Sequence, residues 1–304
     1  MNVKHLVFIV NKFSRNGGSI ISKLERVMPL FECTYDVHIT RYPKHATELS
    51  ESLVKERKQD SIIVAVGGDG TLNEVLTGLL NADSKPLTPL AYIPIGSGND
   101  FARSLQLSFN LKESIHKIIN TTSSTYLDVL IGESNSGNIV AVNSIGVGLD
   151  GMVINSLEKN KNKQRIGKFS YLASVISAYF SQKTFSLEIL TDKGTYTYKQ
   201  SLLAVCTNNT FFGGGIPIHP NALSTDGMVD LVIAEKVSFF ELLTILFSIL
   251  TNQKHLQHKK LHSYRTAFCN LTITPSQYGQ HDGELISQKV DQLSVKTIKH
   301  PFFI

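Results

Sequence analysis

The chain of 304 residues has few of the features that mark membrane-spanning, disulfide-bonded or nucleic-acid-binding proteins. It has only three cysteines, Cys33, Cys206 and Cys269, whose odd number and wide spacing predict reduced thiols in a cytoplasmic protein and no metal cluster. Its longest apolar run, residues 237–250, contains Glu241 and is too short to span a bilayer. The formal charge of +5 is mild and no basic stripe is present, so we expect no nucleic-acid partner.

What is present is an ordinary globular composition, 42% hydrophobic and 18% charged, in a chain long enough for two domains. Up to residue 127, apolar strands alternate with amphipathic helices, which predicts a parallel sheet with helices on both faces. Residues 128–291 contain short strands separated by turn residues, which predict an antiparallel β-sandwich interrupted by an apolar helix at residues 239–250.

The most informative stretch is residues 61–80, with the sequence SIIVAVGGDGTLNEVLTGLL. A β-branched strand leads into a glycine-rich turn, and apolar residues then recur at helical spacing. Thr71 and Glu74 fit a capping box at the start of this helix. A glycine-rich turn between a strand and a helix N-terminus presents backbone N–H groups to an anion.

Two common phosphate motifs are excluded at this turn. No Gly-Lys-Ser/Thr follows it, as a P-loop requires, and Asn73 stands where a dinucleotide fingerprint has its third glycine. Asp69 would repel a phosphate here unless a divalent cation lay between them, which indicates a nucleotide bound with Mg²⁺. From the residues alone, a plain turn in which Asp69 caps the helix is an equally good interpretation.

Other polar segments follow neighbouring strands of the expected parallel sheet. Asn11 and Thr40 each come directly after a strand, and the loop GSGND at residues 96–100 follows another. Because ligands of such sheets bind beyond the carboxyl ends of the strands, these segments are expected to converge on one site.

At this point the sequence resembles the diacylglycerol kinase catalytic-domain family, which includes bacterial lipid kinases and the sphingosine and ceramide kinases. The GGDGTLNEV segment at residues 67–75 resembles the nucleotide motif of that family. The PIGSGNDFAR segment at 94–103 resembles its P-x-G-T-x-N-D-F-A-R motif, with Ser97 in place of threonine. Further matches follow in the family's order at residues 146–150, 167–172, 213–215, 220–222, 226–230 and 282–284. One departure is Lys12, which stands where the family has proline.

The resemblance implies an α/β nucleotide domain like those of NAD kinases and phosphofructokinases, followed by a β-sandwich domain. It further implies that residues 292–304 return to the first domain, and that ATP and the lipid hydroxyl meet between the domains. The implied activity is phosphorylation of diacylglycerol or a related lipid with ATP and Mg²⁺. We expect transient contact with the membrane surface, and a homodimer is left open.

By the same resemblance, Glu284 is expected to be the general base, and Asp282 to position that base or Mg²⁺. Asp69 and Asp100 are expected to orient the catalytic Mg²⁺. The expected nucleotide site comprises Asn11, Thr40, Gly67, Gly68, Asp69, Gly70, Thr71, Leu72, Asn73 and Ser97. A separate structural Mg²⁺ is expected at Asp226, with the backbone carbonyls of Leu223 and Met228.

Ordinary structural explanations compete with several of these roles. Asp-Gly-Glu and Asp-Gly are also common turn sequences, and Asp100 is also a good helix N-cap. Phe211, Phe212 and Ile216 are candidates either for an acyl-chain cleft or for plain core. The helix at 239–250, with the basic residues after it, either rests on an anionic membrane or is a buried helix with a solvated end. The basic loop at 159–165 carries the same ambiguity.

Two rival functions remain at this stage. An NAD kinase would share the first domain, although the segment at 96–103 and the Asp-Gly-Glu argue against it. A non-catalytic lipid-binding protein of the same fold is the other rival, against which the four intact acids count: Asp69, Asp100, Asp282 and Glu284.

Overall fold

The computed structural model describes residues 4–56, 61–159 and 168–304. The chain divides into two compact units, one of residues 1–127 with 299–304 and one of residues 128–298. Of the segment 292–304 that is expected to return to the first domain, residues 299–304 belong to the first unit and 292–298 to the second. The basic loop is described only at Lys159, because residues 160–165 lie outside the described ranges, as does Gly167.

The first unit is a parallel sheet with helical connections. Its elements are β1 (His5–Val10), α1 (Ile20–Val27), β2 (Thr34–Ile39), α2 (His45–Glu56), β3 (Ser61–Gly67), α3 (Asp69–Asn81), β4 (Leu90–Pro94), α4 (Asp100–Ser104) and α5 (Leu111–Asn120). The strand order is β2-β1-β3-β4, and Phe302 and Phe303 from the end of the chain pair in parallel beside β4. The β-branched and apolar residues of β3 are buried along its whole length, as expected for a central parallel strand.

The start of α3 differs from the expectation, and the capping box of Thr71 and Glu74 is wrong. The helix begins at Asp69, after Gly68 in an extended conformation, so its N-cap lies three residues before Thr71. The Glu74 carboxylate instead accepts hydrogen bonds from the backbone N–H groups of Lys44 and Ala46, at 3.0 and 3.3 Å. Glu74 therefore caps the neighbouring helix α2 rather than its own.

The second unit is built from antiparallel strands and three helices in the described ranges. Its elements are β5 (Thr125–Ser134), β6 (Gly137–Ala141), β7 (Ser144–Gly148), α6 (Leu149–Lys159), α7 (Lys168–Ser181), β8 (Phe185–Thr191), β9 (Gly194–Thr207), β10 (Phe211–Phe212), β11 (Ile216–Pro217), β12 (Val229–Glu235), α8 (Phe239–Thr251), β13 (Leu261–Thr266), β14 (Phe268–Gln277), β15 (Gly279–His281), β16 (Glu284–Leu285) and β17 (Val290–Phe303). The antiparallel order is β16-β15-β7-β9-β8-β14-β17, and β12 pairs with both β9 and β13.

Two apolar cores form in the second unit. One lies between the strands, where Phe185, Leu187 and Ile189 of β8 alternate with more exposed residues and pack inward. The other lies between the strands and the helices α6, α7 and α8. Across the described ranges, no helix has the length and apolar character that crossing a bilayer requires.

Candidate functional site

Two glycine loops of the first unit pack backbone against backbone. Ile95 and Gly96 donate their N–H groups to the carbonyl oxygen of Gly67, at 2.8 and 3.1 Å. A Cβ atom on Gly96 would lie 2.5 Å from the Cα atom of Gly68, so no side chain fits between the loops. The structure therefore brings the expected nucleotide turn and the loop that carries Ser97 directly together.

Asn99 holds the second of these loops in shape, a role that the sequence did not suggest. Its backbone is left-handed, with a φ of 53°, a conformation that asparagine tolerates better than most residues. The Asn99 Oδ1 atom accepts from the Gly96 N–H at 3.0 Å and from the Tyr92 hydroxyl at 3.2 Å. The Asn99 Nδ2 atom donates to the Gly96 carbonyl at 3.0 Å, which closes the loop.

The Asp69 carboxylate caps α4 and not the helix that Asp69 begins. Its Oδ2 accepts from the Asp100 N–H at 2.9 Å and its Oδ1 from the Phe101 N–H at 3.2 Å. Gly68, the N-cap residue of α3, has no side chain to cap the helix, so the backbone N–H groups at this end are suited to an external anion. Burial raises the pKa of Tyr92 well above its ordinary value, and the negative charges of Asp69 and Asp100 raise this pKa further. Tyr92 therefore stays a neutral hydrogen-bond donor beside the two acids.

The other expected nucleotide-site residues surround the same turn. Asn11 Nδ2 donates to the Thr71 hydroxyl at 3.0 Å, which links the end of β1 to the first turn of α3. Thr40 is buried, and its N–H donates to the Val10 carbonyl at 2.9 Å. Leu72 and Asn73 are buried within α3, next to Gly70, whereas Ser97 is exposed at the tip of its loop.

Asp282 and Glu284 occupy the tight turn between β15 and β16 in the second unit. The Asp282 carboxylate accepts from three successive backbone N–H groups, those of residues 142, 143 and 144, at 2.7, 2.8 and 3.0 Å. Asp282 thus fastens the turn to the segment that leads into β7. Glu284 is exposed and pairs with His281 across the turn, so its carboxylate is accessible to a substrate.

A buried acid that the sequence did not suggest, Asp128 of β5, contacts the turn of the exposed Asp226. Asp128 Oδ2 accepts the Gly227 N–H at 2.6 Å, while its buried Oδ1 has no hydrogen-bond partner among the described residues. Asp226 Oδ1 accepts the Met228 N–H at 3.0 Å, and its Oδ2 lies 3.5 Å from Arg265 Nη1. An unsatisfied buried carboxylate oxygen beside the turn fits the expected Mg²⁺, which prefers oxygen ligands. In the described ranges no three metal-ligating side chains cluster, so such a site also needs carbonyls or water.

An apolar cavity of about 90 Å³ lies in the helical core of the second unit. Phe212 and Ile216, two of the three acyl-cleft candidates, line it together with the inward face of α8.

Asp150, at the start of α6, is an acidic residue at the boundary of the cavity. Asp150 Oδ1 accepts from the Tyr171 hydroxyl at 2.7 Å, and Oδ2 accepts from Gln280 Nε2 at 2.5 Å. Burial raises the pKa of Asp150 to about 6, against the two hydrogen bonds, which lower it. The sequence places this residue in a family segment but gives no sign of its burial. Burying this carboxyl costs folding free energy, and a carboxyl that is kept at such a cost beside a cavity is a candidate binding group.

Comparison with known proteins agrees with both halves of the chain. Residues 5–129 match the family model of the diacylglycerol kinase catalytic domain, and residues 143–296 match that of the YegS C-terminal NAD kinase beta sandwich-like domain. These matches confirm the expected α/β domain and β-sandwich domain.

Relatives and solved structures point the same way. The chain is 28% identical over 251 residues to "Putative lipid kinase YtlR" of Bacillus subtilis, covering 79% of this chain and 80% of the relative. It is 28% identical over 240 residues to "Putative lipid kinase SAB0675c" of Staphylococcus aureus, covering 75% of this chain and 72% of the relative. The crystal structure of a "putative diacylglycerol kinase" from Bacillus anthracis aligns with all of this chain and 96% of its own, with a TM-score of 0.78 at 20% identity. That likeness supports the fold.

Proposed function

Because the chain belongs to the diacylglycerol kinase catalytic-domain family, we propose that it transfers the γ-phosphate of ATP to a hydroxyl of diacylglycerol or a related lipid, with Mg²⁺. We place this activity in the cytoplasm, in transient contact with a membrane surface where such lipids lie. The observation that favours a lipid as the phosphate acceptor is the apolar cavity lined in part by Asp150. An NAD kinase would share the glycine turn of the first unit but has no use for such a cavity.

The first unit supplies the groups that would hold the nucleotide. Backbone N–H groups at the N-terminus of α3 are suited to bind phosphate oxygens, because the N-cap residue Gly68 brings no side chain to that end. Asp69 and Asp100 lie beside this end, and carboxylate oxygens are the ligands that Mg²⁺ or its waters prefer. When bound, Mg²⁺ neutralises the phosphates against these acids.

The second unit supplies the groups for the acceptor. We propose that the cavity holds part of an acyl chain and that the Asp150 carboxyl, fixed by Tyr171 and Gln280, meets the polar part of the lipid. Glu284 then accepts the proton of the lipid hydroxyl as that oxygen bonds to the transferred phosphorus. The bond to the leaving oxygen of ADP breaks in the same step, so the charge is balanced.

The test is transfer of labelled phosphate from ATP with Mg²⁺ to diacylglycerol, monoacylglycerol, phosphatidylglycerol, sphingosine, ceramide and NAD. We expect label in a lipid, and a loss of about 10²–10⁴-fold in Glu284→Gln, as for removal of a general base. Glu133→Gln, at an exposed position of the same unit, is the matched control and should keep full activity. Label in NAD alone would reject the lipid acceptor. Lipid binding without ATP consumption would favour the non-catalytic rival.

A further inference from the structure

The outer face of α8 is an exposed apolar stripe. Phe240 is 78% exposed, Phe247 is 68% exposed and Leu243 is 38% exposed, at the i, i+3 and i+7 spacing of a single helix face. Phe180, at the end of α7, is 70% exposed and extends the stripe, because its ring lies 5.3 Å from the ring of Phe239. Of the five phenylalanines in the described ranges that are more than half exposed, three lie here. We call Phe180, Phe240, Leu243 and Phe247 the α8 surface.

The inward face of the same helix lines the cavity, through Leu242, Ile245 and Ile249. The helix is therefore apolar on two opposite sides. Packing within the unit explains the apolar residues of the inward side but not those of the outer side. Exposing large aromatic side chains to water is unfavourable, and contiguous exposed apolar patches usually mark interaction sites. The N-terminus of α8 is firmly fixed by a capping box of Ser238 and Glu241, so the exposed face is presented by an ordered helix.

The charges that flank the α8 surface are mostly positive. Residues 236–260 contain four lysines against one glutamate, Glu241, and the Nζ atom of Lys260 lies 3.3 Å from its carboxylate. Lys236, Lys254 and Lys259 are exposed on either side of the helix in the sequence. An apolar helix face with exposed lysines before and after the helix matches the chemistry of an anionic bilayer. It disfavours a second copy of this chain, because a two-fold contact across α8 would bring lysines of like sign together.

We propose that the α8 surface docks on anionic membranes, with the phenylalanines inserted among the lipids and the lysines on the headgroups. Docking there lays the outer side of α8 against the bilayer while its inner side walls the cavity. The docking itself does not depend on catalysis. The idea that it brings the cavity to its substrate rests on the proposed function.

The test is co-sedimentation of the full chain with vesicles, without ATP. We expect binding to vesicles of phosphatidylcholine mixed with phosphatidylglycerol, and weaker binding to phosphatidylcholine alone. Phe240→Ser and Phe247→Ser should each lower the partition coefficient by about tenfold, from the apolar area that each side chain buries. Lys254→Gln and Lys259→Gln should each lower it by about fivefold, and on the anionic vesicles alone.

The matched control is Leu30→Ser, at a position of the first unit that is 61% exposed, and it should bind as the wild type does. Thermal unfolding should be unchanged in all these variants, because the substituted side chains are exposed. If the wild type does not bind, or if the phenylalanine variants bind as well as Leu30→Ser, the proposal is wrong. It is also wrong if the phenylalanine substitutions convert a dimer to a monomer, which would identify an interface between copies.

A second assay separates this proposal from the proposed function. Phosphate transfer to a short-chain diacylglycerol dispersed as monomers should be the same in Phe240→Ser and the wild type. Transfer to diacylglycerol embedded in anionic vesicles should fall with the loss of binding. If the wild type transfers no phosphate in either assay but the binding pattern holds, the kinase activity is rejected and the docking surface stands.

Discussion

Replacing Asp150 by asparagine tests whether this chain keeps a buried carboxyl at a cost in stability. Burial raises the pKa of Asp150 from 3.8 to about 6, although the hydrogen bonds from Tyr171 and Gln280 lower it. A folded-state pKa about two units above that of the unfolded chain corresponds to about 3 kcal/mol at neutral pH. The wild type should therefore be less stable at neutral pH than a chain with a neutral group at this position.

The sign of the pH dependence follows from proton binding. Between about pH 4 and pH 6 the folded carboxyl keeps its proton while the unfolded one loses it, so the wild type loses stability as the pH rises through this window. The Asp150→Asn variant has no charge to lose at this position. Its amide oxygen can still accept from Gln280 Nε2, so the amide nitrogen faces the Tyr171 hydroxyl, which loses the acceptor of its proton at a cost of about 1 kcal/mol. The net gain at neutral pH is about 2 kcal/mol.

The assay is thermal unfolding of the full chain from pH 4 to pH 8. For a unit of this size, we expect Asp150→Asn to melt about 4–8 °C above the wild type at neutral pH, with the difference vanishing towards pH 4. Asp291→Asn, at an exposed position, is the control and should show no such trend. An offset that is the same at every pH, or a lower melting temperature at neutral pH, would refute the reasoning. A variant that is more stable and fully active would show that the carboxyl has no function.

Three further predictions test the loops. Asp282→Ala removes the acceptor of three backbone N–H groups, so urea unfolding should show that the free energy of unfolding falls by about 4 kcal/mol. An unchanged free energy of unfolding would contradict the anchoring role. Gly96→Ala puts a methyl group 2.5 Å from the facing backbone, so calorimetry should show ATP binding that is at least about tenfold weaker. The control Gly18→Ala, whose methyl group would have no atom within 4 Å, should bind ATP as the wild type does. Chelation of divalent ions should lower the melting temperature of the wild type but not of Asp128→Asn. No effect of chelation on either protein would mean that Arg265 alone meets the charge of the Asp226 turn, and an equal effect on both would place the metal away from Asp128.

The strands and the meeting of the two glycine loops could be predicted because local patterns determine them. An unbroken apolar strand such as β3 has to be central, and parallel strands bring their carboxyl ends to one edge. Glycines at 67, 68 and 96 allow the loops at that edge to approach.

The contacts of individual acids could not be predicted, because they depend on which segments the fold brings together. Glu74 was expected to cap its own helix and caps α2, and Asp69 caps α4, whose first residue is 31 positions away. Cys206 and Cys269 are distant in sequence, yet their Sγ atoms lie 3.3 Å apart in the sandwich core. Burial of Asp150 likewise follows from the packing of α6 against α7 and not from its neighbours in sequence.

These contacts share a pattern that bears on how catalysis can be tested here. Asp69, Glu74, Asp128 and Asp282 each accept backbone N–H groups from a different segment of the chain, so each fixes one loop to another. Substituting any of them disturbs folding as well as any chemistry, because buried N–H groups lose their acceptor. Glu284 is exposed. A loss of phosphate transfer in Glu284→Gln without a change in melting temperature is therefore the evidence that would separate a catalytic acid from a structural one.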